Sequence, residues 1–154
     1  MITTVSTLEL QTLKSVTVIL LNFRRSMIEV KSLPQKGRCV VTTQKITPGT
    51  IVEIAPVSAC NSEERVLFQK TDFFKYLFVR PGEYSIGDNI KGYVVFGLAS
   101  FCSHHKNPNA YIDWIEDEVG IWSHLVAKQE MQKGEEVTLF YTNINEYYDA
   151  KSYV

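Results

Sequence analysis

The sequence predicts a mainly β fold of several small sheets with short helices, built as one domain. Two observations carry this. Short apolar runs with period-two alternation recur along most of the chain, and each is cut off by turn formers such as "PQKG" at 34–37, "TPG" at 47–49 and "KG" at 133–134. A chain of 154 residues buries one ordinary core without staples, so a second independent domain is not expected.

Residues 1–26 have a different texture, with no glycine or proline and then Arg24 and Arg25, and read as a strand, a helix or a flexible leader. From Met27 the strand rhythm begins. "MIEVKSL" at 27–33 alternates, "RCVVTTQKI" at 38–46 reads as a strand, and "TIVEIAPVSA" at 50–59 alternates again. Between 62 and 79, "SEERVLFQKTDFFKYLFV" spaces Leu67, Phe68, Phe73, Phe74, Leu77 and Phe78 among charges, which fits a helix or two short helical turns. "RPGEYSIGDNIKG" at 80–92 is a loop by composition, and "YVVFGLASF" at 93–101 is a buried apolar segment. "AYIDWI" and "GIWSHLVAK" flank "EDEV" as a β-hairpin with a polar tip. "MQKGEEVTLFY" at 131–141 gives a turn and a strand, and "TNINEYYDAKSYV" is an aromatic tail.

Composition removes several function classes. Hydrophobic residues at 45% and charged residues at 21% describe a soluble globular protein. A net charge of -1 argues against direct, nonspecific nucleic-acid binding, which needs a basic excess to release counterions. The longest apolar run, "VTVILLNF" at 16–23, is well short of the roughly 20 residues that span a bilayer, so no membrane association is expected. The start "MITTVSTLELQTLK" lacks a basic n-region and a cleavage site. Cys39, Cys60 and Cys102 form neither a disulfide framework nor a four-thiolate zinc site, which fits a reducing compartment, cytoplasmic or nuclear.

The densest chemistry lies in "FCSHHKNPNAYIDW" at 101–114. Adjacent His104 and His105 on an extended chain would point to opposite faces, and no familiar ligand spacing joins them to His124, so no metal is expected. Cys102 closes an apolar run and reads as a buried thiol rather than a nucleophile with His104 as its base. The loop itself is more informative. Asn107, Pro108 and Asn109 order a turn through side-chain to backbone bonds and a locked φ, presenting backbone donors and acceptors to a polar ligand such as an adenine edge. Further on, "KGEEVTLFY" places the Tyr141 phenol at the end of a strand. Such a tyrosine is most often a core residue with its hydroxyl at the surface.

In this order the segments resemble the SET-domain family of protein-lysine methyltransferases. "LPQKGRCVVTTQKITPGTIV" is similar to the family's opening Gly-x-Gly strand pair, "FCSHHKNPNA" to its Asn-His-Ser-x-x-Pro-Asn loop, and "LVAKQEMQKGEEVTLFY" to its Gly-Glu-Glu close ending in tyrosine. The likeness covers roughly Ile28 to Tyr148, placing the SET domain at 27–148, an extension at 1–26 and a tail at 149–154. The short length without cysteine-rich flanks is most similar to the small single-domain viral and bacterial type.

The resemblance implies a β-clip-like fold with a C-terminal segment threaded through a preceding loop. It implies S-adenosylmethionine as methyl donor, contacted by Lys36, Gly37, Arg38, Ser103 and His104. The partner would be a protein with an exposed lysine, a histone tail being the family's expectation, entering a narrow channel from the opposite side. Tyr141 would be the catalytic residue, orienting the amine. Tyr76, Tyr147 and Tyr148 would line the channel and hold a methylated ammonium by cation-π attraction, about 0.5 to 2 kcal/mol each. A lysine with an ordinary pKa of about 10.4 must lose its proton first, which an apolar channel promotes. A leader able to act as a dimer arm leaves a homodimer open. Two positions depart from the pattern: the loop asparagine is Ser103 and the second glycine is Cys39. They keep a rival reading in play, a catalytically weakened or inactive SET-like protein-interaction module.

Overall fold

The computed structural model describes residues 26–84 and 89–147, so most of the leader, Tyr148 and the tail lie outside the described residues. Strands β1 (Ile28–Leu33) and β2 (Gly37–Thr42) form a hairpin in the register Ile28↔Thr42 to Leu33↔Gly37. Its tight turn needs two left-handed residues, Gln35 at φ 65° and Gly37 at φ 74°, and glycine adopts that conformation without a side-chain clash. The predicted strand at 38–46 ends early, at Thr42. There the backbone turns to Glu135, whose carbonyl accepts the Thr42 N–H at 2.9 Å, and pairing resumes only as an Ile46 to Met131 bridge.

The central sheet has the order β4-β5-β3-β8-β7. Strand β3 (Ile51–Cys60) sits in its middle, with β8 (Ile121–Ala127) on one side and β5 (Gly92–Val95) on the other. Strand β7 (Ala110–Glu116) pairs with β8 from Ala110↔Ala127 to Glu116↔Ile121, as the hairpin pattern predicted. At its tip the Asp117 carboxylate accepts the N–H groups of Val119 and Gly120 at 2.9 and 3.0 Å, which satisfies an otherwise bare turn. The stretch 62–79 resolves into helix α1 (Ser62–Phe68), a 3-10 turn at Asp72–Tyr76 and the two-residue strand β4 (Leu77–Phe78). Asn61 caps α1 reciprocally with Glu64, the side chain of each accepting the other's backbone N–H at 2.9 Å. A one-turn helix, α2 (Pro81–Tyr84), interrupts the predicted loop at 80–92.

The core draws on several strands, and burial runs through consecutive residues in β2 and at the end of β8. Val40, Ile46, Val52, Ala55, Val95, Leu125, Met131, Val137 and Leu139 are all buried in one cluster. The third pairing has no sequence signature: β6 (Ser103–His104) lies parallel to β9 (Thr138–Leu139), with Ser103 opposite Thr138 and His104 opposite Leu139. A parallel pair needs a long connection, and the β7–β8 hairpin supplies it.

Candidate active site

The loop at 101–109 is aimed from beneath by an acid on β3. Glu53 accepts the N–H groups of Leu98 and Ala99 at 2.8 and 3.0 Å, capping the 3-10 turn Leu98–Phe101 that delivers the chain to Cys102. Gly97 permits this approach, since a Cβ there would come within 2.5 Å of the Glu53 carboxylate and 2.6 Å of the Ala55 side chain. Nothing in the alternating run at 50–59 distinguishes Glu53 from an ordinary strand acid, and sequence reasoning missed it.

Asn109 then ties this loop to the C-terminal segment. Its amide nitrogen donates to the Glu136 carbonyl at 2.8 Å, and its amide oxygen accepts the Thr138 N–H at 2.8 Å. The His105 N–H adds a bond to the Leu139 carbonyl at 2.9 Å. Tyr141 is thereby carried to the end of β9 beside His104. Its own N–H donates to His104 Nδ1 at 3.0 Å, and its hydroxyl donates to the Cys102 carbonyl. Burial, helped by the charges of His105 and Lys106, lowers the His104 pKa, consistent with a neutral ring whose Nδ1 accepts.

The three histidines do different things. His104 faces the cleft, His105 folds Nδ1 onto the Asn107 backbone, and His124 sits in the sheet opposite Ile54 and Asp113. Cys102 is 1% exposed, and burial pushes its thiol pKa up, which keeps it protonated.

The two departures from the family pattern touch each other. Ser103 Oγ lies 3.6 Å from Cys39 Sγ, so the short serine leaves room for the added thiol. Ser103 donates to Glu136 Oε1 at 2.6 Å, and Lys36 Nζ holds the other oxygen of the same carboxylate at 2.6 Å. Burial opposes ionisation of Glu136, yet the bonds from Lys36, Ser103 and Cys39 and the Lys36 charge outweigh it and hold the carboxyl below its ordinary value of 4.5. A depressed carboxyl stabilises the fold fully above that ordinary value, and the stabilisation disappears as pH falls below it. Glu136→Gln should therefore melt below the native protein at neutral pH, with the gap closing as the melts are repeated from about pH 5 toward about pH 3. A gap that stays constant over that range would contradict this account.

A cleft of about 840 Å³ opens here, and Arg38, Ser103, His104, Tyr76, Tyr141 and Tyr147 all line it. Arg38 places its guanidinium 4.9 Å from the Phe101 ring centroid and donates to the Tyr76 hydroxyl at 3.2 Å, which joins the two walls. Lys36 and Gly37 are not among the lining residues: Lys36 is turned to Glu136, and Gly37 starts β2. A second, much narrower cavity of about 30 Å³ lies among Phe78, Phe140, Thr142 and Asn143 and shares Tyr76, Tyr141 and Tyr147 with the first. Tyr141 thus lines both the large cleft and the small, largely aromatic cavity. Its ring centroid lies 5.8 Å from that of Tyr147.

Comparison with known proteins agrees with this architecture. The SET-domain family profile matches residues 37–142. A Schizosaccharomyces pombe histone-lysine N-methyltransferase, H3 lysine-37 specific, is 30% identical over 117 residues, which cover 76% of this chain and 74% of that protein. A histone-lysine N-methyltransferase, H3 lysine-36 specific, from Debaryomyces hansenii is 48% identical over 54 residues, or 32% of this chain and 7% of that one. Its namesake from Candida glabrata is 37% identical over 83 residues, or 51% and 10%. The chain thus spans a tenth or less of the two H3 lysine-36 proteins and about three quarters of the H3 lysine-37 protein. Among solved structures, a Plasmodium falciparum protein described as a candidate histone methyltransferase superposes with a TM-score of 0.58 at 20% identity, covering 76% of this chain and 94% of that one. ATXR5 in complex with a mono-methylated histone H3.1 gives 0.57 at 14% identity, covering 90% and 67%. At those identities the two structures speak to the fold.

Proposed function

The chain belongs to the SET-domain family, and from that premise we propose that it is a protein-lysine N-methyltransferase using S-adenosylmethionine, with a histone as substrate. The observation that carries the reading is that Tyr141 lines both a large cleft and a small cavity walled largely by aromatic side chains. Around the profile match at 37–142, we extend the SET domain to 27–148.

The cleft suits the methyl donor in size and chemistry. Its volume of about 840 Å³ falls in the usual range for cofactor pockets, and it offers the aromatic surfaces of Phe101 and His104 with the Arg38 cation close by. Arg38, Ser103 and His104 would hold the donor, while Lys36 would act through its ion pair with Glu136, which also accepts from Ser103. The bound donor supplies an electrophilic methyl group on a sulfonium.

The protein's own residues do the rest. Tyr76, Tyr147 and Tyr148 would form the channel that strips water from the lysine, which lowers the amine's pKa and favours the neutral nucleophile. The Tyr141 proton is directed at the Cys102 carbonyl, so the phenol oxygen acts toward the amine as an acceptor and fixes its lone pair. Alignment of the two reactants accounts for most of the rate. Methylation of a histone in chromatin would be carried out in the nucleus.

The test is incubation of the full chain with labelled S-adenosylmethionine and histone H3, followed by mapping of the label. Labelled lysine is expected. Stabilisation by the cofactor in a thermal titration, about 2.7 kcal/mol at a hundredfold excess over Kd, should accompany it. Cofactor binding without labelled lysine in any histone would favour the interaction-module reading instead.

A further inference from the structure

Helix α1 is anchored by a charge rather than by an apolar stripe. Its buried residue is Arg65, 5% exposed, while Val66 and Leu67 beside it stand 51% and 66% exposed. A guanidinium is buried only where it is paired, and its partner is the Glu146 carboxylate of the C-terminal segment. Asn143 Nδ2 donates at 2.9 Å to the same carboxylate oxygen, Oε2, that accepts from Arg65.

The contact extends to the cleft. The Arg65 guanidinium lies 5.4 Å from the centroid of Phe74, Phe74 lies 5.7 Å from Tyr147, and Tyr147 lies 5.8 Å from Tyr141. Gln69, Thr71 and Phe74, which follow α1, and Ile144, Glu146 and Tyr147, from the C-terminal segment, all line the cleft. The ion pair therefore ties α1 to the C-terminal segment at the edge of the cleft, which Glu146 lines and Arg65 does not.

We propose that Arg65 is a positioning residue, whose clasp on Glu146 sets Tyr147 against Tyr141 and so fixes the wall of the lysine channel. The inference rests on the methyltransferase reading for its kinetic consequence and on the contacts alone for its structural one. Loss of the clasp lets the channel wall shift, and a displacement of about 1 Å at a reacting pair costs about 100-fold in rate. The effect falls on kcat, because the donor's contacts at Arg38, Ser103 and His104 are untouched.

The experiment compares native protein with Arg65→Leu, Glu146→Gln, the double variant and Arg65→Lys, well below their melting temperatures, with rates normalised to titrated cofactor sites. Each of the two single losses should lower kcat by about 10-fold to 100-fold with KM for an H3 peptide within about threefold, and the double variant should be no worse than either. Arg65→Lys should recover part of the rate, since it keeps the charge while losing the planar fork. If Arg65→Leu does not fold, Glu146→Gln carries the same test. Near-ultraviolet circular dichroism separates the two readings. Arg65→Leu and Glu146→Gln should lose the tyrosine signal that Tyr147→Leu also loses, whether or not the native protein transfers methyl groups. Native activity that survives both losses with an unchanged tyrosine signal overturns the clasp, whereas an inactive native protein whose tyrosine signal still depends on Arg65 and Glu146 overturns only the methyltransferase reading.

Discussion

Replacing Tyr141 with phenylalanine should lower methyl transfer by about 100-fold to 1,000-fold while cofactor binding and the fold survive, the scale seen when one positioned hydrogen-bonding group is removed from a reacting centre. The ring has reasons to stay where it is. Its backbone N–H is bonded to His104 at 3.0 Å, and its ring centroid lies 5.4 Å from His104 and 5.8 Å from Tyr147. What disappears is the hydroxyl and its bond to the Cys102 carbonyl, worth about 1 kcal/mol of stability. Single-turnover assays beside a thermal titration with S-adenosylmethionine separate the two effects. A variant that still turns over at more than a tenth of the native rate would remove Tyr141 from the chemistry.

Asn109→Ala should be the most damaging substitution for stability. The change leaves the Glu136 carbonyl and the Thr138 N–H without their partner where the loop at 101–109 meets the C-terminal segment. Each orphaned group costs about 1 to 3 kcal/mol, so the loss is about 2 to 6 kcal/mol, against a total of only about 5 to 15 for a typical domain. Urea denaturation should show a lower midpoint with an unchanged slope. Asn109→Asp keeps the acceptor for Thr138 but turns a carboxylate oxygen toward the Glu136 carbonyl, close to Glu135, and should be no better than alanine. A loss below about 0.5 kcal/mol for Asn109→Ala would mean that the two chain segments are held by other contacts.

These two residues differ in how they could be found. Tyr141 was visible as the end of an ordered motif, and Asn109 as a turn former whose role as a lock became definite only when its partners at Glu136 and Thr138 were placed. Arg65 and Glu146 gave no signal at all. They are 81 residues apart, and a helical arginine next to an acid-rich turn reads as a solvated face until the fold buries it.

The sequence by itself carried the strand-rich class and the β7–β8 hairpin, because strand patterning and turn chemistry are local properties written into consecutive residues, and its ordered motifs carried the resemblance to the family. The tertiary structure alone decided the rest. Strands β6 and β9 are two residues each and exist only because each finds the other, and α1 is tied to the C-terminal segment by an ion pair that spans 81 residues. The same holds for Ser103 and Cys39. Read along the chain they are two separate losses, but packed side by side they form one contact, joined through Glu136 to Lys36, because hydrogen bonds and volume are settled between neighbours in space.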